Sequence, residues 1–205
     1  DLIPVLVDIE RRGVKTSQRT LVQLNQILGD KAKELQGRYP EVNFNSPQQL
    51  ARFLFDSLGL PPGRMTEKSG HPSTDDEVLQ GLRGLHPAAD TLLDYRKANK
   101  LNSTYVVPFI GVEVVHPSFS ILTSTGRFKC EKPNLQNQPV EGGIRDIYIA
   151  REGKILLAAD LNQLEYRVAA MLSQDPAMIQ LYRVDGDLHI FTMGEARIER
   201  RLAKI

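Results

Sequence analysis

Ile155-Leu156-Leu157-Ala158-Ala159-Asp160-Leu161-Asn162-Gln163-Leu164-Glu165-Tyr166-Arg167 is where the chain changes from one kind of structure to another. Its opening, Ile155 to Ala159, is an unbroken apolar run bounded by Gly153 and Asp160, which reads as a buried strand. Beyond Asp160 the spacing changes. Leu164, Val168, Met171 and Leu172 recur on one face of a helix. Asp175-Pro176 breaks that helix, Asp185-Gly186-Asp187 breaks the next, and Ile198, Leu202 and Ile205 mark a last apolar face.

Upstream the chain reads mostly as helices. Ile3 to Glu10 is apolar and ends in a turn at Arg12-Gly13. Thr16 and Ser17 are N-cap candidates for a long helix whose buried face carries Leu21, Leu24, Leu28 and Leu35, with Tyr39-Pro40 beyond its end. Ser46-Pro47-Gln48-Gln49 offers a cap, a proline at the first helical position and a glutamine able to reach back. Leu50, Phe53, Leu54 and Leu58 follow, and Gly59 suits the stop. Pro61 to Gly70 is a loop. Thr74 with Glu77 forms a capping box for a short helix through Leu85, and Pro87 opens a helix to about Tyr105. Gly111 to His116 returns to a β pattern. The fold class is α+β, with a boundary expected between Pro108 and Pro117.

Bulk properties bound the function. A chain of 205 residues with 41% hydrophobic content can bury a core. A net charge of +1 means that any nucleic-acid surface must be local. The single cysteine, Cys130, excludes an intramolecular disulfide and fits a reducing compartment. No apolar run approaches a membrane span, and the start shows no signal-peptide pattern.

Some polar residues could carry chemistry. Asp160 stands at a strand-to-helix junction, where a carboxylate suits a hard metal ion; capping the following helix is the commoner use of such a residue. Glu165 and Arg167 also read as a surface ion pair. Arg197 with Arg201, and Arg200 with Lys204, are like-charge pairs one turn apart, each costing ~0.2–0.5 kcal/mol in an isolated helix. Such a basic ridge suits a polyanion, or a solvated face with counter-ions from elsewhere in the fold. Arg127 and the stretch Asn134 to Gln138 are rich in groups that both donate and accept, as minor-groove contact requires; a turn-rich connector has the same composition. His189 opens a helix and could touch a phosphate or serve structure alone.

Together these elements resemble the family A DNA polymerases. Asp160-Leu-Asn-Gln-Leu-Glu-Tyr-Arg167 is similar to the family's motif A, usually read Asp-Tyr-Ser-Gln-Ile-Glu-Leu-Arg. Ser124-Thr-Gly-Arg127 and Pro133-Asn-Leu-Gln-Asn-Gln-Pro139 resemble its Thr-Gly-Arg and Pro-Asn-Leu-Gln-Asn-Ile-Pro signatures. Thr66-Glu-Lys-Ser-Gly70 with Ser73-Thr74 resembles its thumb loop, and Tyr95-Arg96, Lys100-Leu101 and Ser103-Thr-Tyr105 its thumb helix. Asp187-Leu-His189 resembles the element after motif A, and Arg200-Arg201 with Lys204 the opening of motif B in the fingers O helix. The order is the family's, and essentially the whole chain is covered.

The resemblance implies a palm-associated lead-in (1–15), a thumb (16–112), palm with motif A and antiparallel sheet (113–172), and the start of the fingers (173–205). It implies template-directed DNA synthesis in replication or repair. Asp160, with the Leu161 carbonyl, would bind two Mg²⁺ ions, and Glu165 would be the gate against a ribose 2′-hydroxyl. Gln163, His189, Arg200 and Lys204 would hold the dNTP. Arg127, Asn134, Gln136 and Asn137 would contact primer-template DNA, and Lys68, Arg96 and Lys100 would lie along the duplex backbone. Leu161, Asn162 and Tyr166 depart from the family pattern beside the sugar gate. The sequence ends inside motif B, before the family's second metal-binding aspartate, so the chain alone is expected not to polymerise and to need a C-terminal half. A bacterial or phage cytoplasm or nucleoid is the expected setting. The alternative is a non-catalytic module that clamps duplex DNA.

Overall fold

A computed structural model describes residues 2–66, 70–184 and 186–196. The chain divides into two units, residues 1–155 and 156–205.

The first unit opens with helix α1 (Ile3–Arg12), whose chain reverses at Gly13 into strand β1 (Val14–Thr16). Gly13 has φ +62°, and a Cβ there would lie 2.5 Å from the Val115 carbonyl, so only glycine fits the crossing. Helix α2 (Gln18–Gly37) follows, capped by the Ser17 hydroxyl, which accepts from the Thr20 N–H. Helix α3 (Pro47–Ala51) starts on Ser46 and runs on as a wider π-helical turn, Arg52–Ser57, closed by Leu58 N–H donating to the Phe53 carbonyl. Gln49 does reach back, but past its cap, to accept from the Asn43 N–H at 2.9 Å. Helix α4 (Asp76–Gly81) is capped by Asp75 rather than by Thr74. The Asp75 carboxylate accepts from the Val78 N–H and is itself held by Ser73 and Arg64, whereas Thr74 is buried. A carboxylate is the stronger acceptor at a helix start, which moves the boundary by one residue. The helix also stops at Gly81, and turns rather than a helix carry the chain to Leu85.

Helix α5 (Pro87–Tyr105) packs along α2 and spans both cores of the unit. Ala88, Ala89, Leu92 and Tyr95 join Leu35, Phe44, Leu50, Leu54 and Leu79 in one cluster; Ala98 and Leu101 join Leu21, Leu28, Val106, Ile144 and Ile147 in the other. Strand β2 (Val114–Val115) pairs antiparallel with β1, as does β5 (Tyr148–Ile149) on its other side, giving the order β2-β1-β5. Between them, β3 (Ser118–Ser120) and β4 (Lys129–Glu131) form an antiparallel hairpin. The helical reading and the small antiparallel sheets together make the predicted α+β class.

The apolar run from Ile155 is not a buried strand. Ile155 and Leu157 are 86% and 87% exposed, and no strand among the described residues pairs with the run. A doubly buried strand needs partners on both edges and a layer over each face; the described residues provide neither.

The second unit contains helices α6 (Leu164–Ser173), α7 (Pro176–Arg183) and α8 (Leu188–Ala196). Asp175 caps α7 by accepting from the Met178 N–H. On α6 it is Ala170 that is buried, while Leu164, Val168, Met171 and Leu172 are exposed, so the predicted apolar face has no cover among the described residues. Ile198, Leu202 and Ile205 lie outside the described residues.

Candidate functional site

In the first unit, Asn134, Gln136 and Asn137 sit on one support and Arg96 and Lys100 on another. Asn134, Gln136 and Asn137 are exposed on a tight 3₁₀ turn, Leu135–Asn137, whose start is capped by the Asn134 carboxamide accepting from the Gln136 N–H. The turn is tied down from beneath. Leu135 is half-buried against the second core, and its N–H donates to the buried Cys130 sulfur at 3.3 Å. Gln138 donates to the Asn134 carbonyl at 2.7 Å, accepts from the Tyr148 hydroxyl at 3.1 Å, and its own carbonyl accepts from Arg145. Gln138, Arg145 and Tyr148 therefore hold the exposed amides in place, a role that their sequence positions did not signal. Burial pushes the Tyr148 phenol up to about 12. Arg127 is exposed in the β3–β4 loop, whose closure is set by the Thr123 hydroxyl donating to the Arg127 carbonyl at 2.6 Å.

The second support is α5. Arg96, Asn99, Lys100 and Ser103 fall on one helical face and line an open cleft, with Tyr95 and Asn45 beside them. Arg96 is half-buried and ion-paired with Asp76 at 2.9 Å, so its charge is partly answered within the protein; Lys100 is exposed. Lys68 lies outside the described residues.

In the second unit, Asp160 does not cap α6. That position belongs to Gln163, which has a left-handed backbone (φ 52°, ψ 38°), uncommon for a residue with a side chain. Asp160, Leu161 and Glu165 are exposed around this turn. The Gln163 carboxamide oxygen accepts two bonds, from the Tyr182 hydroxyl at 3.0 Å and from the Leu188 N–H at 3.1 Å. Asp187 caps the rest of α8 by accepting from His189 and Ile190 N–H. His189 packs edge-on against Tyr166, with ring centroids 5.5 Å apart. The Arg167 guanidinium lies 4.8 Å from the centre of the Tyr182 ring, and its Nε–H donates to the Asn162 carbonyl at 2.9 Å. Burial raises the Tyr182 phenol above its ordinary value, opposed by Arg167. Gln163 is thus tied to the start of α8, one residue from His189, whereas Arg200 and Lys204 lie outside the described residues.

Metal chemistry can be tested against the donors. The exposed Asp160 carboxylate and the Leu161 carbonyl, which also accepts from the Leu164 N–H at 3.4 Å, are oxygen donors of the kind that Mg²⁺ takes while keeping water and substrate oxygens for the rest of its shell. Among the described residues there is no cluster of three or more acidic, histidine or cysteine side chains able to hold a metal alone. The residues fit a share of such a site.

Residues 12–200 match the model of DNA polymerase family A, and the chain belongs to that family. It is 40% identical to the thermostable DNA polymerase I of Thermus filiformis over 92% of this chain and 24% of that protein. It is 37% identical to DNA polymerase I of Bacillus subtilis over 92% of this chain and 23% of that protein. The chain thus spans about a quarter of the length of these relatives. A solved structure, the POL domain of Pol1 from M. smegmatis in complex with DNA primer-template and dNTP, superposes with a TM-score of 0.79 at 29% identity, covering 97% of this chain and 39% of that one. No helix among the described residues is long and apolar enough to cross a membrane.

Proposed function

We propose that this chain supplies the thumb (16–112), the first palm segment (113–172, with the lead-in 1–15) and the start of the fingers (173–205) of an enzyme that extends a primer 3′-hydroxyl with deoxynucleotides on a DNA template. Its remaining catalytic parts would come from a C-terminal polymerase half. The observation that carries the reading is the turn Leu161–Gln163, tied to α7 and α8 by Gln163 directly beside the exposed Asp160.

Asp160 is the catalytic carboxylate, and with the Leu161 carbonyl it would hold Mg²⁺. When bound, two Mg²⁺ ions lower the barrier to attack by the 3′-hydroxyl and offset charge on the phosphates. Glu165 excludes a 2′-hydroxyl from the sugar position. Gln163 already accepts twice through its oxygen, which leaves its NH₂ to donate to the triphosphate, with His189, Arg200 and Lys204 beside it. Asn134, Gln136 and Asn137 read the minor groove, whose acceptors are shared by most sequences, so template choice is left to base pairing. Lys68, Arg96 and Lys100 lie along the duplex backbone and meet its phosphates, and Arg127 joins the minor-groove contacts. The bacterial relatives favour replication or repair in a cytoplasm or nucleoid.

Primer extension with Mg²⁺ and dNTPs, run on this chain combined with the C-terminal half from its own source, tests the reading. Incorporation is expected in the mixture. Asp160→Asn should lower it by more than about 10²-fold while primer-template affinity stays within twofold (~) of wild type. Absence of incorporation with tight duplex binding retained would replace this reading with the duplex-clamping module.

A further inference from the structure

Three contacts and one peptide bond close a circuit in the second unit. The Tyr182 hydroxyl donates to the Gln163 oxygen; the Tyr182 ring carries the Arg167 guanidinium; Arg167 donates back to the carbonyl of Asn162, the residue before Gln163. The circuit encloses the turn between Asp160 and Glu165 in which Gln163 is held left-handed, as Lys132 and Gln174 are elsewhere in the chain. Holding a non-glycine residue there costs about 1 kcal/mol or more, so the turn persists only where its surroundings over-determine it. Gln163 also satisfies the first N–H of α8, a group without a partner inside its own helix, one residue from His189. The Tyr182 phenol, raised by burial, stays protonated and able to donate at any ordinary working pH.

We propose that Tyr182 is a positioning residue for nucleotide addition: its hydroxyl fixes Gln163, and through it the turn that sets Asp160 and Glu165 relative to the helix carrying His189. This inference rests on the polymerase reading above. Tyr182 acts through Gln163, which its hydroxyl touches.

The test is Tyr182→Phe in the assembled polymerase, which keeps the ring under Arg167 and deletes only the hydroxyl. Expected are a loss of about fivefold in kcat, unchanged primer-template Kd, and weaker discrimination against ribonucleotides, because Glu165 is no longer held in register. In a Gln163→Ala background the same substitution should add nothing, since its route of action is already cut. Wild-type kcat and sugar discrimination, or an equal loss on both backgrounds, overturns the proposal. Asp160→Asn runs alongside. If it leaves incorporation intact, the polymerase reading itself fails; if it abolishes incorporation while Tyr182→Phe behaves as wild type, only the positioning role fails. Should Tyr182→Phe not fold, Arg167→Gln opens the circuit from its other side and is judged by the same outcomes.

Discussion

Tyr148 illustrates how a residue with no motif of its own can govern, through Gln138, residues that have one. The exposed amides of Asn134, Gln136 and Asn137 would be a flexible polar loop if the chain beneath them were free. Tyr148 instead donates to Gln138, and Gln138 donates to the Asn134 carbonyl. Burial raises the Tyr148 phenol to about 12, above the ordinary value near 10 that the unfolded chain would show. A raised folded value means that the stabilisation is fully present below about pH 10 and is lost as pH rises towards 12. We therefore expect the urea midpoint to fall across that window and to fall less steeply in Tyr148→Phe. A parallel decline in the two proteins would exclude Tyr148 as the source.

At the scale of elements, caps decide where helices begin. Ser17, Ser46, Asp75 and Asp175 each accept from a first-turn N–H, and each marks a start. Asp75 does more than close α4. Its bonds to the Val78 N–H and Ser73 hold its carboxyl below the ordinary carboxylate range, with Arg64 adding to them. A depressed folded value has the opposite sign to that of Tyr148. The stabilisation exists above the ordinary carboxylate pKa and disappears as pH falls through the depressed one. Asp75→Asn still caps but cannot titrate, so the difference in melting temperature between wild type and variant should shrink on acidification below about pH 4. A difference constant from pH 7 to pH 3 would count against this account. The π-helical turn after α3 is also an element-scale result: it inserts the Phe53–Leu58 bond that brings Leu54 and Phe53 into the core together.

Across the first unit as a whole, α2 and α5 act as shared beams. Leu92 lies in one core and Ile144 in the other, both with no exposed surface, yet α5 contributes residues to both clusters. Leu92→Ala and Ile144→Ala should each cost about 2–5 kcal/mol. Because the beams are continuous, either change should lower a single transition for this unit, with far- and near-ultraviolet circular dichroism tracing coincident curves. Separate transitions for the two probes would mean that the cores unfold independently.

Much was legible in the sequence because it was local. Apolar spacing, prolines at first helical turns and cap residues are read by the nearest few backbone groups, so the long helices α2 and α5 and the breaks at Asp175-Pro176 and before Leu188 follow from composition at fixed offsets. Family membership was equally legible, because motif A and the Asn-Leu-Gln-Asn block are short ordered strings. The exposed run from Ile155 shows the limit: hydrophobicity states that a segment seeks cover, but a partner strand must exist to provide it. The cap of α4 needed Arg64 and Ser73 to be placed beside Asp75. The assembly around Gln163 depended on a tyrosine and a helix start distant in sequence, and the stability of the Leu135–Asn137 turn on Gln138 and Tyr148. Sequence alone thus determined the helices and the family, through interactions that span a turn or two of chain. Only tertiary structure decided which side chains hold the candidate site rigid, because those bonds join residues that the chain must fold to bring together.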